Sequence, residues 1–350
     1  MKIVQVTPRY PPRTGGVETH VSEISERLVE RGHEVTVLTA DAGEGVASRE
    51  VRNGVTVRRY RGFAPGGAFH VAPLIAPAVR RIDADVVHAH NYHSLPVLFA
   101  GLGVQDERFV VTPHYHGGSA NSFRDRLLSL YRPLGKWALR DADEVIAVSE
   151  WEREQLRSDF GVEATVIPNG IDRERFANAA PEERDRPYLL CVGRLEEYKG
   201  VQYAVRALTE MPERELVVAG SGPYRSELEA IAKRSGVADR VTFLGYVADE
   251  RLPKLYAGAE VFLALSDFEA YGMTVGEALA TGTPCVVHES GALGDWATND
   301  GCLGIEDRSP GSVLCGVRSV PNRSPDKGEL LRWEEMTDEL VGMYHRQGKL

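Results

Sequence analysis

Residues 266–282, reading SDFEAYGMTVGEALATG, follow the short apolar run Val261-Phe262-Leu263-Ala264-Leu265. The run has the length and make-up of a buried strand, the polar segment after it that of a turn, and the residues from about Gly272 onward that of a helix. A strand, loop and helix of this kind aim unpaired backbone N–H groups, and the positive end of the helix dipole, at whatever lies beyond the strand. That is an anion site by construction. Two carboxylates bracket it, Glu269 in the turn and Glu277 inside the helix, over a floor made by Gly272, Met273 and Thr274. Carboxylates accept hydrogen bonds from hydroxyls, so the place suits a phosphate flanked by sugars. The same spacing has a plainer meaning, because Ser266 with Glu269 and Thr274 with Glu277 each fit the capping box that merely starts a helix. Taken alone, the stretch leaves capping and ligand binding both open.

An upstream strand narrows the choice. Residues 189–200, LLCVGRLEEYKG, are a second apolar run leaving into a loop, with Arg194 and Lys199 just past its end. Cations there would neutralise a diphosphate, Arg as a bidentate fork and Lys as a point charge; the alternative is a solvated loop with ordinary surface charge. Lys supplies only seven of the 41 basic residues, which weighs against coincidence. GRLEEYKG followed downstream by EAYGMTVGE resembles the retaining glycosyltransferases of family four (glycosyl transferases group 1), which have the GT-B fold. The resemblance implies that Arg194 and Lys199 hold the donor diphosphate, that Glu269 faces the transferred sugar, and that Glu277 binds the nucleotide ribose.

Outward from these motifs the chain alternates strand and helix. Strands are expected at Lys2–Thr7, Glu34–Thr39, Val55–Tyr60, Asp85–His88, Phe109–Thr112 and Glu144–Val148, and again at Tyr188–Val192, Glu215–Ala219, Val241–Leu244, Val261–Leu265 and Pro284–Val287. Such alternation predicts α/β parallel sheets covered on both faces, with ligands past the carboxyl ends of the strands. With the resemblance it implies two Rossmann-like domains facing a central cleft. Residues 1–170 form an acceptor-side domain and residues 171–332 a nucleotide-sugar-binding one, while a helix at about 333–348 returns to the first. The polar stretch Arg173–Pro187 reads as the linker.

Gly15 and Gly16 follow the first strand and precede a helical run from Val17 to Arg31. By themselves they mark a tight turn; the family has a matching loop over the donor phosphates, and Gly15-Gly16-Val17-Glu18 fits it. His88, His90 and His93 follow one strand, His114 and His116 the next. No acidic or cysteine partner stands at a suggestive spacing for a metal, so sugar binding is the preferred reading. His114, in Thr112-Pro113-His114, resembles the family's histidine near the reacting sugar. Gly222 and Tyr246 follow two further strands and read as weak donor contacts or as plain turns.

Composition bounds the classes. The 350 residues suit two domains; 43% hydrophobic and 26% charged describe a soluble globular chain, and a net charge of −10 argues against nucleic acid as a partner. No run approaches a transmembrane helix and the first ten residues lack an apolar signal core. The four cysteines, Cys191, Cys285, Cys302 and Cys315, form no Cys-x-x-Cys pair, so a reduced, cytoplasmic setting is expected. Residues 124–140, RDRLLSLYRPLGKWALR, form a basic amphipathic run with Leu127, Tyr131, Leu134 and Ala138 along one side and Arg132, Lys136 and Arg140 in a row. It reads either as a helix packed on its own domain or as a peripheral contact with the inner face of a membrane; Pro133 should kink or divide it.

The expected reaction is hexosyl transfer from a nucleotide-diphosphate-sugar to a hydroxyl acceptor, carbohydrate or lipid-linked, for example a cell-surface glycan precursor, with retention and without a metal or other cofactor. The family's Gly-Gly-x-x-Glu appears here as Gly291-Ala292-Leu293-Gly294-Asp295, and the stretch from Gly304 to Trp333 is short. The competing readings are a sugar-nucleotide epimerase of the same fold, a starch- or sucrose-type synthase, and a nucleotide-sugar-binding protein without turnover.

Overall fold

The computed structural model describes residues 1–43, 45–65, 69–117, 122–320 and 330–346, with side chains omitted at 122–125. The chain forms two compact units, Met1–Gly170 with Trp333–Leu350, and Ile171–Arg332.

In the first unit the strands are β1 (Lys2–Thr7), β2 (Glu34–Thr39), β3 (Arg49–Arg52), β4 (Val55–Arg59), β5 (Val86–His90), β6 (Arg108–Thr112), β7 (Glu144–Ala147) and β8 (Thr165–Val166). They lie in one sheet in the order β3-β4-β2-β1-β5-β6-β7-β8. Every pairing is parallel except the β3–β4 hairpin, whose Asn53-Gly54 turn has both residues at positive φ. β1 (KIVQVT) and β2 (EVTVLT) are buried from their second residue onward, as strands covered on both faces must be. The covering helices are α1 (Gly16–Glu30), α2 (Ile75–Val79), α3 (Pro96–Gly103), α4 (Ser122–Asp141) and α5 (Glu150–Phe160). Ser149 caps α5 by accepting from the Glu152 N–H.

α4 is one uninterrupted helix with Pro133 inside it, so of the kinked or divided run expected there the divided one does not occur. Proline removes one ladder bond, but Tyr131, Ala138 and Leu139 on the inner side are buried, and that packing keeps the run helical through Pro133.

The second unit holds β9 (Tyr188–Val192), β10 (Glu215–Ala219), β11 (Val241–Gly245), β12 (Val261–Ala264), β13 (Cys285–His288) and β14 (Cys302–Ile305), all parallel, in the order β11-β10-β9-β12-β13-β14. Its helices are α6 (Arg173–Ala177), α7 (Val201–Ala207), α8 (Arg225–Arg234), α9 (Leu252–Gly258), α10 (Met273–Thr281), α11 (Leu293–Trp296) and α12 (Pro310–Ser319). The segment expected as a bare linker is part of this unit: α6 buries Phe176 against Tyr256, and the Glu182 N–H donates to the Lys254 carbonyl. Helix α13 (Trp333–Tyr344) then rejoins the first unit, burying Trp333, Met336, Leu340, Met343 and Tyr344. Residues 347 and 348 of the expected final helix, and 321–329 of the shortened stretch, lie outside the described residues.

Each sheet has a switch point where successive connections leave in opposite directions, between β1 and β5 in the first unit and between β9 and β12 in the second. The crevice past the strand ends at such a point is where open α/β sheets bind ligands.

Candidate functional site

At the second unit's switch point the loops after β9 and β12 meet. The Asp267 N–H donates to the Tyr198 carbonyl at 2.7 Å, and the Tyr198 and Phe268 rings stack at 4.4 Å between centroids. Gly200, at φ +74°, sits so close to the Leu265 carbonyl that a β-carbon would fall 1.9 Å from its oxygen. This contact sets Lys199 beside Glu269, and the ammonium is ion-paired to the carboxylate. Ser266 Oγ donates to the same carboxylate oxygen at 2.8 Å. Burial, the largest single influence, lowers the Lys199 pKa, but the charge and hydrogen bond of Glu269 together with Tyr198 outweigh it, and the net shift is upward, so the group is a fixed cation. Arg194, exposed at the mouth of the same loop, lowers it slightly by like charge. Arg194, Lys199, Ser266, Glu269 and Thr274 line one pocket.

The two capping boxes do not form. Gly272, in the left-handed region at φ +92°, is the N-cap of α10, which has no side-chain cap, and the Ser266 hydroxyl goes to a carboxylate rather than to a helix N–H. Thr274 and Glu277 both lie within the helix. The first turn, beginning at Met273, therefore presents its N–H groups and dipole toward the pocket that Thr274 lines. The altered segment after β13 braces this loop from behind. The Ala292 N–H donates to the Glu269 carbonyl at 3.1 Å, Trp296 Nε1 donates to the Tyr271 carbonyl at 2.5 Å, and Ser290 Oγ donates to the Asp267 carbonyl.

Glu277 is deeper, and Tyr256 OH donates to its Oε2 at 2.8 Å, a partner that sequence spacing did not reveal. Burial pushes its carboxyl up from 4.5 to about 7, against the Tyr256 bond and the Arg175 charge, which lower it. Because the folded pKa lies above the unfolded one, the stability this group lends is complete below 4.5 and is lost as pH rises through about 7. Only the ionised form is purely an acceptor, so affinity for a hydroxyl-bearing nucleotide should rise through the same window. Tyr256→Phe should move that midpoint upward; calorimetric titration of a nucleotide across pH 5–9 checks it, and an unmoved midpoint would remove Glu277 from the site.

Gly222 packs under the β9 loop, where a β-carbon would lie 2.2 Å from the Leu195 carbonyl oxygen. Tyr246, 68% exposed, stands just past β11. The loops after β9, β10 and β11 are stitched together by Gly193 N–H to the Ala219 carbonyl, Leu195 N–H to Ser221 and Gly220 N–H to Gly245.

The remaining candidates, Gly15, Gly16 and His114, belong to the first unit. Gly15 is the N-cap of α1, beside the Arg9–Glu18 ion pair, and a side chain at Gly16 would meet nothing within 4 Å. His114 is held at φ +47° after β6. The next residue is tied down by Glu152, which accepts from the Tyr115 and Val148 N–H groups; burial pushes the Glu152 carboxyl up to about 8 against those two bonds. His20 of α1, which no motif singled out, lies with His90 and His114 so that one ring nitrogen of each is within 4.8 Å of the others. His20 Nδ1 meets Asn169 Oδ1 at 2.8 Å and His90 Nε2 meets Gln5 Oε1 at 2.7 Å. Among the described residues these three imidazoles are the donor set that could hold a metal ion. Burial lowers all three pKa values, so the rings are neutral at pH 7. His93 and His116 form a separate stacked pair, centroids 3.8 Å apart.

Residues 14–175 match the profile of Glycosyltransferase Family 4 and residues 172–307 that of Glycosyl transferases group 1. An uncharacterized glycosyltransferase of Methanocaldococcus jannaschii is 30% identical, covering 98% of each chain. The GDP-mannose-dependent alpha-(1-6)-phosphatidylinositol monomannoside mannosyltransferase of Mycolicibacterium smegmatis is 31% identical over 82% of this chain and 80% of its own. Among solved structures, a sucrose-phosphate synthase from Thermosynechococcus elongatus superposes with a TM-score of 0.81 at 20% identity over 98% of each chain. An Anabaena protein in complex with UDP and glucose superposes with a TM-score of 0.76 at 17% identity over 99% of this chain and 100% of its own. The fold is GT-B.

Proposed function

The chain belongs to the GT-B glycosyltransferases of family 4, and from that premise we propose that it transfers a hexose from a nucleotide-diphosphate-sugar to a hydroxyl acceptor with retained anomeric configuration. The observation that carries this reading is the pocket in which Arg194, Lys199 and Thr274 at the uncapped start of α10 surround Glu269. As the bond from the anomeric carbon to the diphosphate breaks and the acceptor oxygen bonds to that carbon, giving up its proton to the departing diphosphate, the sugar becomes oxocarbenium-like and negative charge gathers on that leaving group. Lys199, held by Glu269, and the helix start stabilise that charge without reorganising, and Arg194 adds a second cation at the mouth of the pocket.

In this reading Gly272, Met273 and Thr274 meet the diphosphate, Glu269 faces the sugar, and Glu277 takes the ribose hydroxyls. Gly222 and Tyr246 flank the nucleotide; Gly15, Gly16 and His114 of the first unit serve the donor phosphates and the reacting sugar. No metal is needed, because Arg194 and Lys199 supply the positive charge. The mycobacterial relative is named for a mannosylated phosphatidylinositol. We carry that class over as a lipid-linked glycan precursor, reached from the cytoplasmic side of a membrane through residues 124–140.

A panel of nucleotide sugars incubated with the protein in a chelating buffer tests the donor half. Slow hydrolysis of one of them is expected, and proton NMR of the released or transferred sugar gives the anomeric outcome. No turnover of any member, with or without an extract of glycolipid acceptors, would overturn the assignment.

A further inference from the structure

Helix α4 is apolar on two sides. The inner side buries Tyr131, Ala138 and Leu139 as part of the first unit's core. The outer side carries Leu130, Leu134 and Trp137 at 78%, 53% and 40% exposure, with exposed Pro133 among them. These positions fall at i, i+3, i+4 and i+7, one strip of a helix of 3.6 residues per turn. Of the row that the sequence pattern picked out, Tyr131 and Ala138 face inward and Leu134 belongs to this outer strip. Leu102, 47% exposed at the end of α3, lies close by, because α3 packs on α4 with Gly101 against the Trp137 ring. Folding explains the inner side, and among the described residues the outer strip stays exposed.

Basic groups surround the strip. Arg126 and Arg140 continue it in either direction and are exposed, Lys136 is half-buried on its flank, and Arg80 reaches Leu102 by donating to its carbonyl at 3.1 Å. Arg132, the other member of the expected basic row, is drawn away to Asp159 at 3.1 Å. Asp141, exposed at the end of α4, is the acidic residue adjoining the strip along the helix. A tryptophan and leucines flanked by Arg126, Arg140 and Arg80, on a chain whose net charge is −10, join basic groups to an apolar surface.

We propose that this outer face of α4, with the end of α3, docks on an anionic lipid bilayer. It deepens the lipid-linked acceptor reading above and rests on it for its purpose, though not for its evidence. Leu130, Leu134 and Trp137 enter the interface between headgroups and acyl chains, where the indole is favoured, while the arginines meet lipid phosphates. A second copy of the chain is the weaker occupant, because a two-fold contact would lay Arg126 and Arg140 against their own like charges. No helix of the described residues is long and apolar enough to cross a membrane, so the contact is peripheral.

The test is co-sedimentation of the full chain with phosphatidylcholine vesicles, with and without phosphatidylglycerol. Binding is expected only to the vesicles containing phosphatidylglycerol and is released by salt. Leu130→Glu with Leu134→Glu should weaken it about tenfold or more while circular dichroism and donor hydrolysis in solution stay unchanged. Failure of the wild-type chain to bind, or equal binding by the double variant, would overturn the proposal. So would a concentration-dependent dimer abolished by the same changes, which would give the face to a second copy. Vesicle binding without turnover of any nucleotide sugar would instead sink the transfer reading and leave the docking face standing.

Discussion

Replacing Lys199 with alanine should slow sugar transfer on the order of a hundredfold, about 3 kcal/mol of transition-state stabilisation, while the chain stays folded. Lys199 is the cation held most firmly, tied to Glu269 and 22% exposed, so its charge is already in place when the donor arrives. Its loss removes a point charge from the pocket and leaves the Ser266 hydroxyl as the side chain, among the described residues, that still donates to Glu269. Both effects act on catalysis rather than on the core, since Lys199 and Glu269 are partly open to water. Lys199→Arg should rescue little, because a planar fork does not fit where an ammonium meets one carboxylate oxygen. Single-turnover kinetics with saturating donor is the measurement, run beside Arg194→Ala, for which a similar but smaller loss is expected because Arg194 is exposed and freer to be replaced by solvent ions. Near-normal transfer by Lys199→Ala would remove the diphosphate assignment from this loop.

Gly200→Ala should be worse for the protein as a whole, costing upward of about 3 kcal/mol of stability and most of the activity together. Two penalties add. A left-handed φ of +74° strains any side chain, and the new methyl would lie 1.9 Å from the Leu265 carbonyl oxygen, a backbone atom that cannot turn aside. The β9 loop must then lift off the β12 loop, and Lys199 parts from Glu269. Gly236→Ala is the control: its φ is +69° but nothing lies within 4 Å, so only the conformational strain remains. It should cost about 1–2 kcal/mol and leave transfer intact. Urea midpoints for the two variants, with rates measured in parallel, check this. Equal destabilisation would mean that the close approach at Gly200 relaxes freely.

The parallel sheets were readable because most of their strands are apolar runs between helical spacers, and burial on both faces leaves a signature in each such strand separately. The exceptions follow from the same physics. β3 (Arg49–Arg52) is polar and lies at the sheet edge, so it has no apolar run to announce it, and its Asn53-Gly54 turn went unread. β14 (Cys302–Ile305) is short and interrupted by Gly304. At the site, Arg194, Lys199 and Glu269 were legible from type and position relative to strand ends. Their supports were not, because those partners are distant in sequence: Tyr256 reaches Glu277, Asn169 reaches His20, and Gln5 reaches His90. The loop at Tyr10–Arg13 shows why. It is clamped by Asp41, which accepts from the Tyr10 N–H, and by Arg59, which donates to the Pro11 carbonyl at 2.6 Å, and nothing in PRYPPR points to either.

Helix α13 is made after the second unit yet completes the first. Trp333 backs directly onto Gly170, where a β-carbon would lie 2.5 Å from its Cα, and Tyr344 OH bonds His88 Nδ1 at 2.7 Å beneath the sheet. On the ribosome, then, the first sheet waits for its closing helix until the intervening unit has been synthesised, with the sockets for Trp333, Met336 and Leu340 open meanwhile. A gene fragment ending at residue 170 would leave those sockets empty for good, so the halves of this protein are interleaved in manufacture and not separable as modules.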